Sequence, residues 1–164
     1  MTQEGKLKAN IYLDQNNIAM SFQRLNFSNL LKFLKQQYEI EKATTYCAYD
    51  YSLEPKKKFI VYMANNGWKC NTVDINVNTN IGTILTADMI NDSHVFLSHK
   101  VIVLISGDSE YSYPLSLLSE KGYKIHVIGA KNDTSLELLK AADTITYLED
   151  IEGLDLIVKT SSHT

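Results

Sequence analysis

The chain has 164 residues, 45% of them hydrophobic and 21% charged, which is ordinary usage for one globular domain long enough to bury a core. Sixteen Lys+Arg against nineteen Asp+Glu leave a formal charge of −3, which excludes a global basic field drawing the protein to nucleic acid. Arg24 is the only arginine, so polynucleotide contact would fall to lysines and be modest, salt-sensitive and weak in base readout. No apolar run approaches the roughly 20 residues of a membrane span, and Met1 to Asn10 is too polar for a signal peptide; the cytoplasm is the expected location. Cys47 and Cys70 show no CxxC spacing and read as buried, reduced thiols.

Ala9 to Leu13 reads as the first strand and stops at Asp14. Ser28 is placed to cap a helix whose stripe is Leu30, Leu31, Phe33, Leu34 and Tyr38. Ala43 to Tyr49 is the second strand. Pro55 suits the first turn of the next helix, with Phe59, Ile60, Tyr62 and Met63 inward and Asn66-Gly67 closing it. Trp68 to Val73 is the third strand, and Asp74 to Asn80, polar and without period, is a loop. A helix covers about Thr83 to Asn91. The β-branched run Val101 to Ile105 marks a central strand buried on both faces and ends in Ser106-Gly107-Asp108. Pro114 to Ser119 is helical, Tyr123 to Ile128 is a strand, Ser135 caps a helix to Ala142, and Thr144 to Leu148 is a last short strand. The tail from Gly153 looks frayed.

Strands alternating with helices predict a single three-layer α/β/α domain with a mainly parallel sheet. In such sheets, sites form beyond the carboxyl ends of the strands, where strand order reverses. Asp14 falls one residue past the first strand; Asp108 and Glu110 fall just past the Val101–Ile105 strand. Asp88, between apolar Ala87 and Met89, is positioned to face the same cleft. If the first strand and the Val101–Ile105 strand are neighbours, Asp14 and Asp108 converge. Two carboxylates about 4 Å apart repel by roughly 4 kcal/mol at an effective dielectric near 20, so such a cluster needs protons or a cation. All-oxygen ligands with no nearby His or Cys point to Mg²⁺ or Mn²⁺ and to phosphodiester chemistry. The plainer roles are a helix N-cap for Asp14, capping near Pro114 for Asp108 and Glu110, and a solvent-facing helix position for Asp88.

Tyr12-Leu13-Asp14-Gln15-Asn16-Asn17 resembles the "IDGEN" opening of NYN domains, PIN-like nuclease relatives that include the LabA-like bacterial proteins. Leu104 to Tyr111 looks like their "LVSGDSDF" motif, and Leu85-Thr86-Ala87-Asp88-Met89 is similar to their "LxxDM" helix. Gly122 to Val127 and Leu138 with Ala142-Asp143 fit the closing segments, so the resemblance runs from about Ala9 to Glu149. It implies a Rossmann-like PIN fold and a metal-dependent endoribonuclease acting on single-stranded RNA. Asp14, Asp88 and Asp108 would hold Mg²⁺ or Mn²⁺, Asn17 matches the family's asparagine, and Glu110 stands where an aspartate is usual and would orient the water. A homodimer is the assembly that analogy suggests.

One departure matters. Where the family carries "KGVD" ahead of the middle helix, this chain has Thr79-Asn80-Ile81-Gly82. Gly82 replaces an acid, which on sequence grounds weakens the site, with Asp74, Asn78 and Asn80 available to compensate. The competing readings are therefore a lapsed module binding RNA or a protein partner, and a small phosphate-ester hydrolase. Among other features, Lys56 to Lys58 beside Lys6 and Lys8 read as a solvated face or as phosphate contacts. Tyr46, Tyr49, Tyr51, Tyr111 and Tyr113 read mostly as packing, with base stacking as the functional alternative. His94 and His99 flank a turn, and Gly129 to Asp133 is a turn rather than a phosphate cradle.

Overall fold

In strand β1 (Leu7–Asp14), side chains alternate between two helical layers, and this alternation decides where the first acid points. Ala9, Ile11 and Leu13 belong to one core; Tyr12 belongs to the other. Asp14 shares the parity of Tyr12. A computed structural model describes residues 5–49, 55–75, 80–94 and 100–160 of the chain. Tyr51, Asn78, Thr79, His99 and the last four residues lie outside these, as do the side chains of Tyr49 and Lys56.

The remaining elements follow in order: α1 (Gln15–Ser21), β2 (Phe22–Arg24), α2 (Phe27–Gln37), β3 (Tyr38–Tyr49), α3 (Pro55–Asn65), β4 (Lys69–Asp74) and α4 (Ile81–Ser93), then β5 (Lys100–Ile105), α5 (Ser112–Glu120), β6 (Lys124–Gly129), α6 (Leu136–Lys140), β7 (Thr144–Tyr147) and β8 (Ile157–Val158). Six strands form one parallel sheet in the order β4-β3-β1-β5-β6-β7. The chain winds outward from β1 through β3 to β4, then restarts on the other side with β5. The strand order thus reverses between β1 and β5, as in a doubly wound Rossmann-like sheet. The three-layer α/β/α architecture with a parallel sheet is the one the alternating pattern implies.

Two cores flank the sheet. One packs α1, α2, α3 and Trp68 against Ala9, Ile11, Leu13, Val101, Val103 and Ile105; the other packs α4, α5 and α6 against Tyr12, Tyr46, Ile102, Leu104 and Val127. All six residues of β5 are buried, which is why an unbroken β-branched run, rather than an alternating one, encodes it.

Several expectations change. α1 and β2 have no counterpart in the sequence reading, because Gln15 to Arg24 is too short and too polar for a clear period. Asn26, not Ser28, caps α2, its side chain accepting from the Asn29 N–H at 3.0 Å, and Tyr38 opens β3 instead of ending the α2 stripe. Tyr62 on α3 is exposed, while Met63 is fully buried. The tail is not frayed through Lys159: Leu154 is buried, its carbonyl accepts from the Asn26 N–H at 2.7 Å, and β8 pairs antiparallel with β2. That pairing was illegible because both partners are very short strands far apart in the chain.

Candidate active site at the carboxyl ends of β1 and β5

β1 and β5 are hydrogen-bonded neighbours, with Leu13 opposite Ile105, so the residues that follow them emerge side by side. Asp14 ends β1 and caps α1; its Oδ1 accepts from the Asn17 N–H at 3.1 Å. Its Oδ2 accepts from the Tyr111 hydroxyl at 2.7 Å. The Asn17 side chain crosses to the other strand's loop, where its Oδ1 accepts from the Gly107 N–H at 2.8 Å. This bond ties the start of α1 to the Ser106–Asp108 turn. Asp108 caps the short 3-10 turn Ser109–Tyr111, its Oδ1 accepting from the Glu110 N–H at 3.0 Å. The capping roles of Asp14 and Asp108 and their places in the site coexist: each spends one oxygen on the backbone and keeps further lone pairs for the pocket.

Asp14, Asn17, Asp108 and Glu110 line one pocket of about 420 Å³, together with Asn16, Asn80 and Gly82. Its rim includes two exposed apolar side chains, Met20 (74%) and Ile75 (54%). Asn80, which caps α4 through a bond from the Gly82 N–H at 2.7 Å, lies in the wall. Asp74 does not line this pocket.

Electrostatics mark the carboxylates as mutually repelling. Burial pushes the Asp14 carboxyl above its ordinary range; the Tyr111 hydroxyl and the Asn17 N–H oppose that, and the charge of Asp108 adds to it. Glu110 is also raised, first by burial and then by Asp108 and Asp14. Tyr111 is pushed up as well, by burial and then by the Asp14 charge, so it stays a neutral donor.

Asp88 is not part of this group. Its Oδ2 accepts from the Tyr46 hydroxyl at 2.6 Å and from the Asn71 amide at 3.3 Å, and it does not line the pocket. The reason is helical rise: Asp88 lies six residues beyond Gly82 on α4, about 9 Å further along the axis. Tyr46 and Tyr111 are fully buried, which removes them as stacking platforms, while Tyr113 is 71% exposed. Lys6 and Lys8 sit at the amino end of β1, roughly 20 Å from Asp14 at strand rise. His94 ends α4 as its C-cap. The Tyr111 contact with Asp14 was not foreseen from the sequence, where Tyr111 closes the Leu104–Tyr111 motif and reads as packing or as a stacking surface.

With this geometry in view, comparison with known proteins is decisive for the family. The NYN domain model matches residues 8–149. The chain belongs to the NYN domain family. NYN domains are PIN-like nucleases, and in this chain the pocket lies beyond the carboxyl ends of β1 and β5, at the strand-order reversal. No curated protein matches the chain. Among solved structures, a Vibrio parahaemolyticus protein of unknown function is similar, with a TM-score of 0.76 and 18% identity over 92% of this chain and 98% of that one. At that identity the likeness speaks for the fold alone, and it supports the PIN-like architecture of this NYN domain. No helix among the described residues is long and apolar enough to cross a membrane.

Among the described residues, no three His, Cys, Asp or Glu side chains stand grouped to hold a metal ion as they are placed. The donor chemistry nonetheless suits a hard divalent cation. Asp14, Asp108 and Glu110 offer only oxygen, and the rise that each neighbouring charge imposes on Asp14 and Glu110 is what a cation would relieve.

Proposed function

We propose that this NYN domain is a metal-dependent endoribonuclease acting on single-stranded RNA. The observation that carries the reading is the convergence of Asp14, Asp108 and Glu110 on one open pocket at the strand-order reversal. Asp14 and Asp108 would hold Mg²⁺ or Mn²⁺, which when bound offsets charge on a phosphodiester and lowers the pKa of a coordinated water. The chain's own groups do the rest. Tyr111 and the Asn17 N–H fix the Asp14 carboxylate in one orientation. The Asn17 amide holds the Gly107 N–H and keeps Asp108 in register with Asp14. Glu110, with its proton affinity raised, orients a water and takes its proton as the water attacks phosphorus. The P–O bond to the sugar oxygen opposite the water breaks, and that oxygen leaves with a proton from solvent. Met20 and Ile75 at the rim offer apolar surface to the bases of an extended strand, which favours a polymer over a small phosphate ester.

The test is cleavage of a labelled single-stranded RNA with Mn²⁺ or Mg²⁺, beside an Asp108→Asn variant. The expected result is endonucleolytic cleavage by the parent, lost on chelation, with the variant slower by about 100-fold or more, since several kcal/mol of charge stabilisation goes with the carboxylate. RNA and Mn²⁺ binding without cleavage would instead favour a non-catalytic binding module. Hydrolysis of mononucleotides but not RNA would point to a small phosphate-ester hydrolase.

A further inference from the structure

Gly82 is an unexpected occupant of its place. It is the second residue of the 13-residue helix α4 and is buried there, where glycine is a poor helix former. Its φ is not positive, so the backbone does not demand glycine. What the missing side chain leaves open is occupied. A Cβ on Gly82 would overlap Oε1 of Glu110 and lie 2.9 Å from its Oε2. The Glu110 carboxylate, carried on the 3-10 turn after β5, thus lies against the α-carbon of the facing helix. Both residues line the pocket that holds Asp14 and Asp108.

Resting on the ribonuclease reading, we infer that Gly82 is a positioning residue: its lack of a side chain lets Glu110 place its carboxylate over the first turn of α4, beside Asp14 and Asp108. The space that an acid at position 82 would fill is filled from position 110, by a side chain one methylene longer than aspartate. Gly82 is then half of a matched pair rather than the scar of a lost activity. The pairing also decides what Gly82→Asp would do. That substitution adds an acid only by evicting another, so it gives no large gain while Glu110 is present.

The flexible end of Glu110 can swing into solvent, so Gly82→Ala should fold. The parent, Gly82→Ala, Glu110→Gln and the double variant are compared by Mn²⁺ titration calorimetry, RNA cleavage, thermal melting and metal-free crystal structures of the parent and Gly82→Ala. Gly82→Ala is expected to weaken Mn²⁺ affinity about 10-fold, on the scale of losing a supporting group at a metal site, without lowering the melting temperature. Glu110→Gln should lose a similar amount, and the double variant no more than Glu110→Gln alone. In the crystals the carboxylate should lie over residue 82 in the parent and be displaced in Gly82→Ala. Unchanged affinity in Gly82→Ala, losses that multiply in the double variant, or a Glu110 that does not move would each overturn the pairing. If Glu110 moves as expected but no protein binds Mn²⁺ or cuts RNA, the spatial pairing stands and the ribonuclease reading falls.

Discussion

Two sets of acids lie on the same face of the sheet, and they behave differently. At the carboxyl end of β1, Asp14, Asp108 and Glu110 open on a common pocket, and burial first, with the neighbouring carboxylate charges adding to it, holds the carboxyls of Asp14 and Glu110 above the ordinary range. Deeper along the same face, α4 presents Asp88 and Asp92, four residues apart and so on one side of the helix. There each carboxylate has its own donors. Tyr46 and Asn71 serve Asp88; the Tyr12 hydroxyl at 2.7 Å and Lys42 at 2.8 Å serve Asp92. Tyr12 and Tyr46 stack with ring centroids 6.5 Å apart, fixing both hydroxyls toward α4. What separates the two sets is the shared pocket. Asp14 and Asp108 also have protein donors, but together with Glu110 they open on one cavity, where a cation would offset their combined charge. Asp88 and Asp92 do not line it.

Substitutions can break this contrast. The largest effect is expected at Asp14. Asp14→Asn should lower RNA cleavage by about 100-fold or more, for the same electrostatic reason as at Asp108. It should also expose, as a stability effect, the cost of holding the Asp14 charge buried beside Asp108. Asp14 has a folded pKa raised above its ordinary 3.8. Its stabilising contribution is therefore complete below 3.8 and is lost as pH rises through the folded value. In metal-free melts, the melting temperature of Asp14→Asn relative to the parent should climb as pH rises from 4 towards neutrality, and Mn²⁺ should erase the climb by stabilising the parent alone. A flat difference across that range would show that Asp14 is not strained. His126, whose burial pushes it down to about 4, destabilises both proteins alike as pH falls and cancels in the difference.

Tyr111→Phe sharpens the comparison at intermediate size. It removes the hydroxyl that donates to Asp14 while keeping the buried ring. Mn²⁺ affinity and activity should fall about 10-fold to 100-fold, as when a group orienting a metal ligand is lost. Chemical denaturation should show a loss of about 1–3 kcal/mol, because a buried acceptor loses its partner. The smallest effect is expected at Asp88→Asn. The amide oxygen can still accept from Tyr46, so cleavage should stay within about 3-fold of the parent, with stability lowered by about 1 kcal/mol. A collapse of activity in Asp88→Asn, measured in the same RNA assay, would erase the distinction between the two acidic groups.

Much of this was legible along the chain. Val101 to Ile105 announced a central strand because burial on both faces permits no alternation. Asp14 and Asp108 were readable as a converging pair because the rule that sites lie beyond strand ends needs only strand positions and one adjacency. Asp88 misled because its apolar neighbours say that the helix is packed and not what the carboxylate meets. Tyr111 looked like packing, which it is, but its hydroxyl also anchors Asp14, a contact across 97 residues.

By itself, the sequence determined the order and type of most elements, the family, and the acids nearest the strand ends, because these follow from local periodicity and short contiguous motifs. Only the tertiary structure decided which acids share a pocket, that Gly82 leaves room for Glu110, and that Ile157–Val158 closes against Phe22–Arg24. Those outcomes depend on the distance and direction between segments remote in the chain, which packing sets and no local pattern encodes.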